Sequence, residues 1–197
     1  MGKRAFDLLV SALALVLLAP LLLAIALAIR LDSRGPALFR QQRVGRHGVP
    51  FRIHKFRTMT HAPQSGGSLL TVGADARITR AGRFLRRTKL DELPQLLDVL
   101  AGTMSLVGPR PEVPRYVALY PPDVRAKVLS VRPGITDPAS LMYRDESAVL
   151  ARAADPERAY VEVVLPAKLA ASIGYVEQAS LLGDLRLIGR TLRAMWR

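Results

Sequence analysis

An apolar run near the amino terminus is the strongest pattern in the chain. Leu8 to Ile29 contains no charged residue. A helix of these 22 residues would be about 33 Å long, enough to cross the hydrocarbon core of a membrane. Pro20 lies near the middle, where a proline removes one backbone hydrogen bond and predicts a kink. We therefore expect residues 1–32 to form a membrane helix that bends at Pro20.

Basic residues flank the apolar run on both sides. Lys3 and Arg4 precede it, and five arginines follow it within residues 30–46. Basic flanks are retained in the cytoplasm, so both ends are expected on the same side of the membrane. A re-entrant helix, which enters and leaves by one face, satisfies both ends and is the favoured interpretation. The alternatives are a kinked span and a cleaved signal peptide, since residues 24–28 contain spaced alanines.

Shorter patterns follow the apolar run. From Ala37 to Met59, short apolar runs broken by glycine and proline predict two short strands and a turn. Residues 61–75, rich in glycine, predict a flexible loop that is either a lid or a connector. Between Arg77 and Arg87 the apolar residues recur at helical spacing and predict an amphipathic helix with a solvated face. Its apolar positions are Ile78, Ala81, Phe84 and Leu85.

Two adjacent acids, Asp91 and Glu92, carry the main chemical signal. Pro94 is tolerated in a first helical turn, so we expect a helix that begins close to Asp91 and ends at Gly102. Both acids would then lie at the positive end of the helix dipole, where a phosphate would also be attracted. The pair suits either Mg²⁺ ligation or a carboxylate nucleophile with a partner acid or base. A helix cap with no chemical role is an equally good interpretation of these residues alone.

The carboxyl-terminal segment predicts an amphipathic helix. One helical stripe is apolar and another is basic, and Trp196 stands near the end. The apolar stripe consists of Leu182, Leu185, Ile188, Leu192 and Met195. We expect this helix to lie on an anionic membrane, with packing against the domain core as the alternative.

Earlier in the chain, Pro133-Gly134 has the order of a type II turn.

Composition narrows the class of partner. The formal net charge is +13, and residues 1–29 hold only Lys3, Arg4 and Asp7, so twelve of those charges lie beyond the apolar run. Anionic lipid headgroups and phosphate-bearing substrates fit this surplus. A chain tethered to a membrane has little use for nucleic acid, so we expect none. The chain has no cysteine, which excludes disulfides, a thiol nucleophile and a thiolate metal site.

Several motifs in a fixed order resemble the bacterial sugar transferases, the monotopic phosphoglycosyl transferases. The resemblance runs from Lys3-Arg4-Ala5-Phe6-Asp7 to the last helix. The motifs that carry it are Lys55-Phe56-Arg57-Thr58-Met59, Asp91-Glu92-Leu93-Pro94-Gln95-Leu96, Gly108-Pro109-Arg110-Pro111, Arg132-Pro133-Gly134-Ile135-Thr136 and Asp184-Leu185-Arg186. In that family the apolar run is a re-entrant helix bent at a Ser-Pro step, and here Ala19 replaces the serine.

The resemblance implies a reaction and a set of site residues. The family moves a sugar 1-phosphate from a UDP-sugar to undecaprenyl or another polyprenyl phosphate and releases UMP, the first membrane step of surface glycan assembly. Asp91 would attack the sugar-bearing phosphorus and form an aspartyl phosphosugar, and Glu92 would assist with Mg²⁺ or protons, both acids being the expected metal ligands. The residues expected to bind substrate phosphate or nucleotide are Lys55, Arg57, Arg86, Arg110 and Arg132.

These expectations combine into one architecture. The fold class is α+β and mostly helical, with a re-entrant membrane helix over residues 1–32 and a membrane-associated catalytic domain with short strands over residues 33–197. The domain is expected on the cytoplasmic face of a bacterial inner membrane, and a homodimer is left open. The alternative function is a non-catalytic, membrane-tethered basic module that binds anionic lipid or glycan-assembly enzymes. Neither an Asp-x-Asp metal motif nor a P-loop occurs in the chain.

Overall fold

The computed structural model describes residues 2–60, 70–73, 75–143 and 145–195. Most of the loop expected over residues 61–75, together with Trp196, lies outside them. The ten helices described are α1 Gly2–Asp32, α2 Arg80–Thr88, α3 Leu96–Leu100, α4 Pro114–Val117, α5 Pro122–Val128, α6 Pro138–Met142, α7 Glu146–Ala151, α8 Pro156–Ala159, α9 Leu165–Gln178 and α10 Leu181–Met195. The four strands described are β1 Leu38–Val44, β2 Pro50–Phe56, β3 Ser105–Val107 and β4 Gly134–Thr136. The expected α+β, mostly helical fold class is confirmed.

Helix α1 is one continuous element in which Pro20 is an interior residue. The bend expected at Pro20 stays a prediction, since a helix can bend at a proline without being interrupted. Both ends of α1 contact the same folded domain. At the amino-terminal end the Asp7 carboxylate accepts a 2.8 Å hydrogen bond from the Ser105 hydroxyl of β3. At the other end Ile29 is buried against Phe56 and Leu85.

The face of α1 turned away from the domain is exposed and apolar. Leucine and valine side chains lie there from Leu9, 72% exposed, to Leu31, 79% exposed. Two helical segments are long and apolar enough to cross a membrane, Gly2–Asp32 and Pro156–Gln178. The second contributes Tyr160, Leu165 and Leu169 to the domain core, whereas the first keeps most of its apolar surface outside it.

The expected pair of strands forms an antiparallel hairpin. β1 pairs with β2 from Leu38 opposite Phe56 to Val44 opposite Pro50. The connection closes through a short 3₁₀ turn in which His47 and Gly48 have positive φ values of 57° and 79°. The hairpin places Lys55 and Ile53 next to the segment that carries Asp91.

A second, parallel sheet joins β3 to β4, with Ser105 opposite Gly134 and Val107 opposite Thr136. The predicted type II turn at Pro133-Gly134 is wrong, because Gly134 opens a strand and is not among the glycines of positive φ. Its lack of a side chain serves close packing instead. A Cβ at Gly134 would lie 2.1 Å from the backbone nitrogen of Gly108.

The helices around Asp91 differ in part from their predictions. α2 begins after Thr79, whose side chain caps the helix by accepting from the Gly82 amide at 3.0 Å. Phe84 of the predicted apolar face is 52% exposed, while Leu85 is buried. The helix expected from Asp91 begins instead as a 3₁₀ segment, Leu90–Gln95, and continues as α3.

The end of that helix agrees with its prediction, but its leucines do not share one buried face. Gly102, with φ of 85°, follows the last turn of α3 as predicted. Leu96 is buried, whereas Leu97 and Leu100 face outward. The outward pair adds apolar surface next to the exposed face of α1, which α3 contacts.

Three clusters of buried side chains form the core. One lies beneath α4, α5 and α9 and includes Tyr116 and Tyr160. A second joins Ile53 of β2 to α3, β3 and Leu187 of α10. The third holds the carboxyl-terminal end of α1 against Phe56 and Leu85.

Helix α10 is fixed to the domain by the buried Asp184 and Leu187, and Ile188 of its apolar stripe also packs against the core. The Asp184 carboxylate is buried, accepts a 2.8 Å hydrogen bond from the Tyr175 hydroxyl and forms an ion pair with Lys3 of α1. Three leucines of the stripe are exposed, Leu182, Leu185 and Leu192. This orientation is the one an interfacial helix needs, and membrane contact by α10 stays a prediction.

Candidate active site

A left-handed residue sets the direction of the acidic pair. Lys89, with φ of 58° and ψ of 15°, ends α2 and starts the 3₁₀ segment that contains Asp91 and Glu92. The turn directs the two acids toward β2 and toward the loop after β3. Lys55 and Arg110 come from those two elements, which places four charged side chains together.

Glu92 is held between two cations. Its Oε1 accepts from Lys55 Nζ at 2.8 Å, and Arg110 binds the carboxylate through both terminal nitrogens, one of them at 3.1 Å from Oε2. Burial alone would raise the pKa of Glu92, but the charges of Arg110 and then Lys55 outweigh it and hold the pKa well below its usual range. Glu92 is therefore a fixed anion.

Asp91 has the opposite surroundings. Burial, followed by the charge of Glu92, raises the pKa of Asp91, although Lys55, Lys89 and Arg86 oppose the shift. Its Oδ1 is buried and has no hydrogen-bond partner among the described residues. An unpartnered buried carboxylate oxygen is costly to maintain. Asp91 is thus a more basic carboxylate with a free oxygen.

Arg86 and Arg110 place guanidinium charge on two sides of this pair. Arg86 projects from the inner side of α2, and its Nε donates to the Thr58 hydroxyl at 2.9 Å. The negative charge of Glu92 is the main cause that raises the pKa of Arg110. Three of the predicted phosphate ligands, Lys55, Arg86 and Arg110, therefore surround the acidic pair.

Arg57 and Arg132 are placed differently. The buried Arg57 guanidinium donates to the carbonyl oxygens of Ser33 and Arg34 at 2.8 and 2.6 Å, which secures the end of α1. Arg132 Nε donates to the Gly102 carbonyl at 2.8 Å, behind the end of α3. These contacts give both arginines a structural role, and phosphate binding by Arg57 and Arg132 stays a prediction.

Polar contacts surround the loop that carries Arg110, and the sequence patterns did not reveal them. Glu112 accepts a 2.7 Å hydrogen bond from the Tyr160 hydroxyl and lies 3.6 Å from the Arg43 guanidinium. Tyr160 begins a π-helical turn, Tyr160–Val164, a local irregularity often found at functional sites. The backbone amide of Arg110 also donates to Asp137 at 3.2 Å. No local pattern signals the contact between Glu112 and Tyr160, because these residues are 48 positions apart in the chain.

Asp98 is a second residue that sequence analysis missed. Asp98 is buried in α3. One of its carboxylate oxygens accepts a hydrogen bond from the backbone amide of His54 at 2.9 Å, and the other lies 2.7 Å from the ring Nδ1 of His54. This clamp joins α3 to β2. It thereby fixes the distance between the segment that carries Asp91 and the strand that carries Lys55.

The acidic pair fits a divalent cation only in part. No group of three or more histidine or acidic residues in the described ranges is arranged to hold a metal. Asp91 offers a free carboxylate oxygen, the ligand type that Mg²⁺ prefers, and Mg²⁺ is commonly held by one or two carboxylates plus substrate phosphates. Both oxygens of Glu92 already accept from Lys55 and Arg110. The geometry therefore favours Asp91 over Glu92 as the protein ligand.

The site places two adjacent acids, one with an unpartnered oxygen among the described residues, next to Lys55 and Arg110, and the domain carries an exposed apolar helix. This arrangement is suited to phosphate chemistry at a membrane. The sequence model described as bacterial sugar transferase matches residues 1–197. The chain therefore belongs to the bacterial sugar transferase family, which confirms the resemblance drawn from its motifs.

Individual relatives agree with this assignment. The chain is 42% identical over 200 residues to the UDP-glucose:undecaprenyl-phosphate glucose-1-phosphate transferase of Caulobacter vibrioides. The matched region covers 98% of this chain and 69% of the relative. It is 35% identical over 195 residues to the UDP-N-acetylgalactosamine-undecaprenyl-phosphate N-acetylgalactosaminephosphotransferase of Aeromonas hydrophila, covering 98% of this chain and 43% of that protein. An uncharacterized sugar transferase of Bacillus subtilis, EpsL, is 36% identical over 191 residues, 97% of this chain and 85% of its own length. None of these relatives supports the non-catalytic alternative.

Proposed function

We propose that this protein transfers a sugar 1-phosphate from a UDP-sugar to undecaprenyl phosphate through a covalent intermediate on Asp91. The observation that carries the proposal is the contrast within the acidic pair. Glu92 is fixed between Lys55 and Arg110, while Asp91 keeps a buried oxygen that has no partner among the described residues. A nucleophile needs a free, basic oxygen, and a phosphate needs cations on several sides.

The first step forms the intermediate. An Asp91 carboxylate oxygen attacks the sugar-bearing phosphorus, the bond from that phosphorus to the bridging oxygen breaks, and UMP leaves with the bond electrons. Arg86, Arg110 and Lys55 stabilise the charge on the phosphoryl oxygens. Asp91 must be ionised to attack, which the three cations favour.

The second step regenerates the enzyme. A phosphate oxygen of the polyprenyl acceptor attacks the same phosphorus, the acyl phosphate bond to Asp91 breaks, and the carboxylate returns with the electron pair. The product is a polyprenyl diphosphate sugar. A bound Mg²⁺ would add positive charge at the phosphates, and Asp91 is its proposed ligand on the protein.

The membrane arrangement we propose is re-entrant. Since Asp7 and Ile29, near opposite ends of α1, contact the same domain, a helix that carried one end to the far side of a bilayer would have to break one set of contacts. We place the domain on the cytoplasmic face of the inner membrane, where UDP-sugars are made and where the basic flanks are expected. The homodimer stays a prediction.

The experiment that tests the function measures UMP release by detergent-solubilised protein. A donor panel that begins with UDP-glucose and UDP-N-acetylgalactosamine, the donors named for two relatives, is supplied with and without undecaprenyl phosphate and Mg²⁺. Sustained release that depends on both would support the proposal and identify the sugar. Sustained release without the lipid would show that water is the acceptor and contradict it.

A further inference from the structure

The outer face of α2 carries a row of cations around an aromatic ring. Arg80, Arg83, Phe84 and Arg87 follow the spacing that puts side chains on one face of a helix, and all four are exposed, Phe84 at 52%. The opposite face holds the buried Leu85 and directs Arg86 to Thr58. α2 therefore carries Arg86, which acts on Asp91, on its inner side and three exposed arginines on its outer face.

This outer face continues onto the end of α1. The Asp32 carboxylate accepts from the Ala81 amide at 2.9 Å, and Leu85 packs in one cluster with Ile29. Leu31 is 79% exposed. We call the combined region the basic surface: Arg30, Leu31, Arg34, Arg80, Arg83, Phe84, Arg87 and Lys89.

The charge of the basic surface is largely unneutralised. None of its six cations forms a salt bridge within the part of the chain that the structure describes. Among the described residues, the Asp32 carboxylate acts on Arg80 and Arg83, and Asp91 acts on Lys89. Six cations beside two exposed apolar side chains match a lipid that has an anionic headgroup above an apolar tail.

The position of the basic surface favours one particular anionic lipid as its ligand. It begins at the end of the candidate membrane helix and ends at Lys89, two residues before Asp91. We propose that it binds the phosphate of the polyprenyl phosphate acceptor and brings that phosphate from the membrane to the intermediate on Asp91. This inference rests on the proposed function, because it assigns the route of the second substrate.

The test compares two triple variants. Arg80→Gln/Arg83→Gln/Arg87→Gln removes charge from the basic surface. Arg52→Gln/Arg125→Gln/Arg152→Gln removes three exposed arginines elsewhere that also lack salt bridges. All six side chains are exposed, so both variants are expected to fold, which thermal unfolding checks.

The primary readout is equilibrium binding of labelled undecaprenyl phosphate in neutral detergent micelles, which needs no turnover. We expect the first variant to raise the Kd about tenfold or more, since it removes three cations near a charged lipid, and the control to change the Kd less than about twofold. In the enzyme assay the KM for the lipid should rise in parallel while the KM for the UDP-sugar stays constant.

Two results would overturn the inference. One is a Kd for the lipid that is the same in both variants. The other is a loss of binding seen only in vesicles rich in anionic phospholipid and absent in neutral micelles, which would assign the surface to bulk lipid. Lipid binding by a wild-type protein that releases no UMP would contradict the proposed function and leave the acceptor assignment standing.

Discussion

Asp91 and Glu92 are neighbours in the chain whose carboxylates are in opposite electrostatic states. Glu92 accepts hydrogen bonds from Lys55 and Arg110, whereas Asp91 Oδ1 accepts none from the described residues. The pKa of Glu92 is held well below its usual range, and the pKa of Asp91 is raised. Two adjacent carboxylates whose environments push their pKa values apart are suited to different roles.

The raised pKa of Asp91 predicts an acid limb in the rate profile. Asp91 must be ionised to attack, so kcat/KM for the UDP-sugar should fall as the pH drops through the raised pKa. After burial, the negative charge of Glu92 is the main cause of that raised value. Glu92→Gln removes this charge and frees Lys55 and Arg110 to act on Asp91, so the acid limb should move to lower pH.

A pH–rate profile of both proteins checks this prediction, with single-turnover UMP release as the readout. Activity of Glu92→Gln should also be lower at neutral pH, because Arg110 loses the anion that orients it. An acid limb that stays in place or moves to higher pH would contradict the electrostatic coupling of the two acids.

Arg110 should not tolerate exchange for lysine. Its guanidinium binds the Glu92 carboxylate through two nitrogens, a geometry that an ammonium group cannot reproduce. We expect Arg110→Lys to lower kcat/KM about 10- to 100-fold. Arg115→Lys is the control, since Arg115 is exposed and pairs at the surface with Glu157, and it should keep nearly full activity. Equal activity of the two variants would contradict a phosphate-orienting role for Arg110.

The Tyr160 hydroxyl should contribute to stability through Glu112. The 2.7 Å hydrogen bond joins a buried tyrosine to a carboxylate that also faces Arg43. Tyr160→Phe should lower the free energy of unfolding by about 2 kcal/mol, the usual range for a hydrogen bond to a charged group. Tyr116→Phe loses a 3.1 Å bond to the more exposed Glu157 and should cost about half as much or less. Denaturant titration compares the two, and a larger loss for Tyr116→Phe would refute the assignment.

Gly134 should be irreplaceable for steric reasons. A Cβ there would lie 2.1 Å from the Gly108 nitrogen and 2.5 Å from its carbonyl oxygen. We expect Gly134→Ala to cost about 3 kcal/mol or more and to displace the loop that carries Arg110. Gly174→Ala in α9 is the matched control, because its Cβ would meet nothing within 4 Å, and it should leave stability unchanged or raise it by about 0.5–1 kcal/mol. Thermal unfolding in detergent distinguishes them, and similar melting temperatures for both would disprove the close contact.

Local patterns were enough to predict some elements. The short apolar runs around Gly45 and Gly48 gave the β1–β2 hairpin, and Gly102 ended α3 where a left-handed residue was needed. Each of these features depends on residues close together in the chain.

Features that depend on distant partners could not be predicted in the same way. The β3–β4 pairing joins segments 29 residues apart, such as Ser105 and Gly134, and it turned an apparent Pro-Gly turn into the start of a strand. Phe84 has helical spacing with apolar neighbours, yet its environment is set by where α1 packs. The Glu112–Tyr160 contact spans 48 residues, and periodicity carries no information about it.

Covalent catalysis by Asp91 is tested most directly by a search for the sugar phosphate intermediate on that residue. The protein is incubated with a UDP-sugar labelled in the sugar, without acceptor lipid, and then digested with trypsin; Asp91 falls in the expected peptide 90–115, because cleavage does not occur between Arg110 and Pro111. If Asp91 is the nucleophile, the wild-type protein releases a stoichiometric burst of UMP and carries a sugar phosphate on Asp91. Asp91→Asn should show neither, although it still associates with membranes. A label on any other residue, or undiminished turnover by Asp91→Asn, would contradict the assignment of Asp91 as the nucleophile.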